Sequence, residues 1–319
     1  MYKAILDEIK KYDSIVIFGH VNPDGDCFGS EIALRETLRK TFPEKAVFAV
    51  GSGLQRFFKL LGRLDAVPED VIERSLAIIV DGNDIPRMED QRIKKAKAFI
   101  KFDHHVDSGT FTEGPSLVRE EACSCCEIIL DFIRDNNFVI NKNIAEALLL
   151  GITTDTARFQ FVKDYVKTYS DAAYLCEQGA RPEMINNILN LTNEDSAVFK
   201  GYVYTHYQKT KNGVLYLKFT QKQLKKLKLT SNAAGSMVNL ISNIRGYPIW
   251  TFICENHDES YHIEVRSNGP KVQPIALKYG GGGHALAAGT TIQKDELHLI
   301  DEFLNDLDLL AKDYKETKF

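Results

Sequence analysis

The first half of the chain alternates two hydrophobic periodicities. Short apolar runs at Ser14–Gly19, Ala46–Val50, Leu76–Asp81 and Lys97–Asp103 have the length and β-branched content of strands buried on both faces. Between and after them, apolar residues recur at helical spacing over Gly29–Thr41, Cys123–Asn136, Lys142–Thr153 and Lys167–Gln178. Strands alternating with helices predict an α/β domain built on a mostly parallel sheet flanked by helices.

The pattern changes after about Arg181. Met184–Leu191 and Asn193–Gly201 read as helical connecting material. Two hairpins are then predicted, Val203–Lys209 with Val214–Thr220, and Trp250–Glu255 with Tyr261–Ser267. A helix is expected between them at Ala233–Ile244 and another at Lys294–Lys312. The predicted organisation is a first domain over residues 1–185, a helical linker over 186–202 and a smaller α/β C-terminal domain over 203–319. Two domains suit a chain of 319 residues, since one core serves about 150.

Composition narrows the classes. Hydrophobic content of 44% and charged content of 26% are those of a soluble globular protein. A net charge of −4 argues against a broad surface for long duplex nucleic acid. No apolar run reaches the roughly 18 residues that span a membrane. The start, Met1 to Glu8, carries acids and reads as a helix rather than a secretory signal, so a cytoplasmic location is expected. Cys123-Ser124-Cys125-Cys126 lacks a partner pair at zinc-site spacing and reads as small buried residues opening a helix. Cys27 is expected to pack, and the lysines of Gln221–Lys228 to form a solvated helix face.

Four separated stretches carry the chemistry: His20-Val21-Asn22-Pro23-Asp24-Gly25-Asp26, Asp81-Gly82-Asn83-Asp84, Asp103-His104-His105 and Thr153-Thr154-Asp155-Thr156. Three follow predicted strands and the fourth ends a predicted helix. In an open parallel sheet, ligands bind at the carboxyl ends of the strands, so all four can converge there. Gathered carboxylates repel one another and lose hydration unless a cation sits among them. Oxygen and imidazole donors without thiolate suit Mn²⁺ or Mg²⁺. The donors exceed what one ion needs, which points to a pair of cations about 3.5–4 Å apart. Pro23 and Gly25 are expected to shape a sharp loop that aims Asp24 and Asp26, ahead of a helix opening near Gly29.

In this order the four stretches resemble the successive motifs of the DHH phosphoesterases. The later run Arg266-Ser267, Ile275-Ala276 and Gly280-Gly281-Gly282-Gly283-His284 through Ala287-Ala288-Gly289 is similar to the C-terminal domain of the nano-RNase/pAp phosphatase branch. The resemblance implies that His20, Asp24 and Asp81 hold one cation. It implies that Asp26, Asp81, His104 and Asp155 hold the second, with Asp81 bridging. His105 would face the phosphate and Asp103 and Asn22 would support the ligands from behind. Arg266, Ser267, Gly281, Gly282, Gly283 and His284 would bind substrate, in an active site lying in the cleft between the domains. The chain departs from the family at Gly82, where a small hydroxyl residue is commoner, and at Ala157, where glycine is commoner.

The implied activity is metal-dependent hydrolysis of very short RNA and of 3′-phosphoadenosine 5′-phosphate, with Mn²⁺ ahead of Mg²⁺. Hydrolysis of cyclic di-AMP or its linear product pApA is the alternative within the class. A catalytically silent nucleotide-binding regulator is the alternative outside it, opposed by the presence of every expected ligand. The implied partners are a short RNA or small nucleotide and, by analogy, a second copy of the chain.

Overall fold

The computed structural model describes residues 2–106, 111 and 113–318. The chain divides into two compact units, Met1–Leu191 and Thr192–Phe319.

In the first unit, β1 (Ser14–Phe18), β2 (Ala46–Val50), β3 (Leu76–Val80), β4 (Ala98–Asp103) and β5 (Ser116–Val118) form a parallel sheet ordered β2-β1-β3-β4-β5. Every residue of β1 and β3 is buried. Alternate side chains feed two cores, as a strand covered on both faces requires. Ile15, Ile17, Ile78 and Val80 join the core under the helices, and Val16, Phe18, Ala77 and Ile79 the core on the other face. β5 has three residues and was not foreseen; so short a run shows no alternation to read.

Helices Gly25–Thr41, Cys125–Asp135 and Lys142–Asp155 cover one face. The first begins at Gly25, earlier than expected, because the Asp24 carboxylate accepts the N–H groups of Asp26 and Cys27 as its N-cap. It lies very close to Lys142–Asp155: a Cβ on Gly29 would stand 2.4 Å from the carbonyl oxygen of Ala147. Only glycine allows backbones this near, and the approach brings the start of one helix to the end of the other.

The second unit holds a mixed six-stranded sheet: β6 (Gln208–Lys209), β7 (Val214–Phe219), β8 (Ile249–Glu255), β9 (Tyr261–Ser267), β10 (Gly282–His284) and β11 (Ala287–Ile292), ordered β10-β11-β9-β8-β7-β6. β8 and β9 make the second predicted hairpin. The first is largely replaced by helix: Val203 belongs to helix Glu194–His206, buries beside Phe199, and leaves only Gln208–Lys209 to pair with β7. The expected helix at Ala233–Ile244 is instead a short helix, Ser231–Ser236, followed by a 3₁₀ turn, Val238–Ile241. Leu224 anchors helix Gln221–Lys226 while its lysines stay exposed. No helix among the described residues is long and apolar enough to cross a membrane.

Candidate metal centre

Strands β1, β3 and β4 are neighbours, so their carboxyl ends lie side by side about 5 Å apart. His20 follows β1 by two residues, Asp81 follows β3 directly, and Asp103 ends β4 ahead of His104 and His105. Asp26 comes from the first turn of the capped helix, and Asp155 is the last residue of helix Lys142–Asp155.

These groups meet. His104 Nε2 lies 3.1 Å from Asp155 Oδ2, 3.4 Å from Asp81 Oδ1 and 3.8 Å from Asp26 Oδ2. His20 Nε2 lies 3.4 Å from Asp81 Oδ2. The two oxygens of Asp81 therefore face two different imidazoles. Asp81 reaches this position with φ of 56°, a left-handed conformation that aspartate tolerates better than most residues.

Asp26 is fully buried and is held by main chain: Cys125 N–H donates to Oδ2 at 2.6 Å and Cys126 N–H to Oδ1 at 2.9 Å. The buried thiols of Cys123, Cys125 and Cys126 make no metal cluster with one another among the described residues; their helix start serves as a socket for the Asp26 carboxylate. Asp103, also fully buried, uses Oδ1 to accept the N–H groups of His104 and His105 and the His105 ring nitrogen Nδ1 at 2.8 Å. It therefore fixes both histidines without facing the cavity. Asp24 lines the cavity, but its Oδ1 is occupied as the helix cap and lies 3.9 Å from His20 Nε2. Asn22 is left-handed, at φ of 56°.

Proximity shifts every proton. The bond to Asp81 pushes His20 up to about 9. Burial opposes charge on His104, but its bonds to Asp155 and Asp81 prevail and lift it to about 11. Burial, reinforced by Asp81 and Asp155, raises Asp26 well above the usual carboxylate range, and burial raises Asp155. Burial raises Asp155 against the opposing pull of its bond to His104, while that bond, the bond to Asp81 and the charge of Asp26 favour the proton on the imidazole. Burial works against ionised Asp81 too, yet His104 and His20 hold it below the usual range. The bond to Asp103 raises His105.

Three sets of potential ligand atoms lie within 4.8 Å of one another: His20, Cys27 and Asp81; Asp81, His104 and His105; and Asp26, His104 and Asp155. Asp81 Oδ1 is buried and faces His104 Nε2 at 3.4 Å, but not in well-aligned hydrogen-bond geometry with any described residue. A bare carboxylate oxygen surrounded by donor atoms of this kind is what a divalent cation satisfies, so the residues fit metal. Cys27, expected only to pack beside Asp26, stands within ligand distance of His20 and Asp81. Its thiol is buried, which pushes its proton affinity up and keeps it neutral.

The centre opens into a cavity of about 250 Å³ lined by His20, Asp24, Asp81, Gly82, Asn83, Arg87, His105 and Asp155. Arg87 escaped the sequence reading, and Asn83 was given no role within the Asp81-Gly82-Asn83-Asp84 stretch, since a lone amide and a lone arginine in a post-strand loop carry no pattern. Gly82 packs on Met88: a Cβ there would stand 2.4 Å from the methionine methyl.

In the second unit, Arg266 and His284 share one row across the sheet, because Ala287 pairs with both. Arg266 Nη1 donates to Glu264 Oε2 at 2.8 Å, and His262 Nε2 lies 3.0 Å from Glu264 Oε1. Ser267, next along β9, points to the opposite face, where it is buried and its hydroxyl donates to the Pro270 carbonyl. Gly282 and Gly283 form an edge strand with His284 rather than a loop, and Gly283 has φ of 129°. A Cβ on Gly281 would meet the Gly289 carbonyl oxygen at 2.1 Å, so that glycine is required by packing.

A parallel sheet with acids and imidazoles gathered at the ends of three adjacent strands is the architecture of the DHH family, and the chain belongs to that family. Residues 14–152 match the DHH family N-terminal domain and residues 211–313 the DHHA1 domain. More particularly, the chain is similar to the bifunctional oligoribonuclease and PAP phosphatase NrnA of Mycoplasma genitalium, at 36% identity over 90% of this chain and 91% of that protein. The NrnA of Bacillus subtilis is 32% identical over 99% of this chain and 100% of that one. The fold is that of an exopolyphosphatase-related protein from Bacteroides fragilis, with a TM-score of 0.81, 22% identity and coverage of 98% and 97% of the two chains.

Proposed function

We propose that the protein is a two-metal phosphoesterase that hydrolyses very short oligoribonucleotides and 3′-phosphoadenosine 5′-phosphate. The observation that carries this reading is Asp81, with one carboxylate oxygen turned to His20 and the other to His104, in a chain similar along its length to NrnA proteins. His20, Asp24 and Asp81 would hold one divalent cation, and Asp26, Asp81, His104 and Asp155 the other, with Mn²⁺ preferred over Mg²⁺. Bound there, the cations supply acidified water and charge neutralisation at a phosphoryl group.

The protein's own groups do the rest. Asp103 accepts a hydrogen bond from His105 Nδ1–H and raises the proton affinity of that half-exposed ring, so the doubly protonated ring would donate its Nε2 proton to a phosphoryl oxygen or to the leaving group. Main-chain N–H groups hold Asp26 in place, so no ligand reorganisation is needed there. Arg266 and His284 would bind the far end of the substrate, with Glu264 keeping the guanidinium oriented. Substrates of this size need no basic surface, which agrees with the net charge of −4; a place in the cytoplasm is part of the same proposal.

The test is one competition assay with Mn²⁺ that offers diribonucleotide, pAp, pApA and cyclic di-AMP and compares kcat/KM. The expected result favours diribonucleotide and pAp. Preference for pApA or cyclic di-AMP replaces the substrate assignment. Failure to hydrolyse any of them, with the metal bound, leaves a nucleotide-binding regulator.

A further inference from the structure

Among the residues around the cavity, Arg87 has no role in the reading above. We propose that Arg87 binds a second, non-scissile phosphate at the rim of the metal cavity, and so selects nucleotides that carry a phosphate next to the one hydrolysed. This rests on the proposed phosphoesterase function and adds to it the feature by which the substrate is chosen.

The loop after β3 opens with Asp81 and returns to the cavity at Arg87. Its return is fixed by main chain. Val21 N–H donates to the Arg87 carbonyl at 2.9 Å, Glu89 N–H donates to the Gly19 carbonyl at 3.0 Å, and His20 forms a β-bridge with Met88. Met88 itself is fully buried. Arg87 is thus attached to the same backbone segment that carries His20, and only its side chain is free to move.

That side chain is exposed and has no carboxylate partner among the described residues, although Asp24, Asp81 and Asp155 line the same cavity. Several arginines of this unit are committed to carboxylates, Arg92 to Asp90, Arg119 to Asp131, and Arg35 to Glu36 and Asp65; Arg56, Arg63 and Arg158 form no such pair among the described residues, but they do not line the cavity. An unpaired guanidinium beside an anion-binding centre is the group best suited to grip a phosphate in two-pronged fashion.

Depth decides which phosphate. Asp26 and Asp81 are 0% and 2% exposed, so a phosphoryl group among the ligands lies deep. Arg87 stands at the exposed mouth, where it meets an anion projecting outward. Asn83, whose buried Oδ1 has no partner among the described residues, lines the same cavity and offers an acceptor to a sugar hydroxyl. The ligand class is a short nucleotide with two phosphates, one at the cations and one at the rim.

The experiment compares diadenylate with its 5′-phosphorylated form as substrates for the full-length protein with Mn²⁺, in wild type, Arg87→Ala and Arg87→Lys. Wild type is expected to favour the phosphorylated form in kcat/KM by tenfold or more. Arg87→Ala should bring that ratio close to one through KM, and Arg87→Lys should keep part of it, since an ammonium supplies charge without the fork. Calorimetric Mn²⁺ binding reports whether each variant keeps its centre; if Arg87→Ala loses it, the lysine variant decides by the same ratio. A ratio unchanged by substitution, or an equal fall on both substrates, overturns the proposal. If wild type binds metal but hydrolyses neither, the phosphoesterase reading fails by itself. Arg87 is then judged by the Kd values of the two dinucleotides: a difference lost in Arg87→Ala supports it, and no difference overturns it.

Discussion

Gly151 faces Asp26 so closely that a Cβ at position 151 would stand 2.5 Å from Asp26 Oδ1 and 2.3 Å from Cys126 Sγ. The room for Asp26, a proposed metal ligand, is therefore set by a glycine on another helix, far away in sequence. Gly151→Ala is expected to destabilise the unit by about 1–3 kcal/mol, the usual cost of overpacking. It should also weaken Mn²⁺ binding, because Asp26 must shift to make room. Urea unfolding and metal calorimetry on the same variant check both; unchanged metal affinity would refute the link.

Asp81 invites a conservative test. Asparagine tolerates the left-handed conformation that Asp81 adopts, so Asp81→Asn should fold. It removes a charge between two imidazoles. Hydrolysis should fall by more than the roughly 10- to 100-fold typical of losing a group that merely supports a ligand. Full activity in Asp81→Asn would remove the bridging role.

Protons and metal compete. Without a cation, His20 and His104 sit at about 9 and 11 and are charged near pH 7, whereas ligation needs neutral rings. Metal binding must expel protons, and affinity should climb as pH rises from 6 toward 9. Mn²⁺ calorimetry in buffers of different ionisation heat reads the number released; zero would contradict the arrangement.

The same shifts govern the metal-free protein. A raised imidazole stabilises fully below its unfolded value of about 6.5 and loses that contribution as pH climbs through the folded value. For His20 the loss therefore runs from about pH 6.5 to about 9. Asp26 and Asp155, also raised, push in the same direction. The metal-free protein should show a lower Tm at pH 9 than at pH 6.5, and saturating Mn²⁺ should narrow the gap.

Ala157, Arg158 and Phe159 all have positive φ, of 47°, 63° and 64°, directly after the helix that ends in Asp155. Alanine at 157, where family members more often have glycine, bears strain of about 1–2 kcal/mol in this conformation. Allowing for the greater freedom of unfolded glycine, Ala157→Gly should stabilise the protein by about 0.5–1 kcal/mol. A urea midpoint unchanged or lowered would show that the strain is relieved elsewhere.

Much of the centre was legible because it obeys topology. β2 has the bounds its apolar run suggests, and β1, β3 and β4 agree within a residue at either end, so His20, Asp81 and Asp103 could be placed at strand ends from pattern alone. What failed was local chemistry that competes with pattern. The run at Val203 looks like a strand because it is aromatic and β-branched, but its apolar residues also fit a helix face, and burial against Phe199 and Leu215 settles it. The helix start at Gly25 was hidden because Asp24 was read only as a ligand, and an N-cap uses the same carboxylate. Arg87 was invisible because a β-bridge, not a motif, returns it to His20.

The amides of Cys125 and Cys126 hold Asp26 with atoms that every amino acid except proline possesses. Substitution by another small residue at 125 or 126 keeps these donors in place, while the buried surroundings of both side chains, with Gly29 and Gly151 close to Cys126, limit their size. The anchorage is inherited through the path of the backbone, so a comparison of relatives by residue identity would overlook one of the strongest constraints on this site.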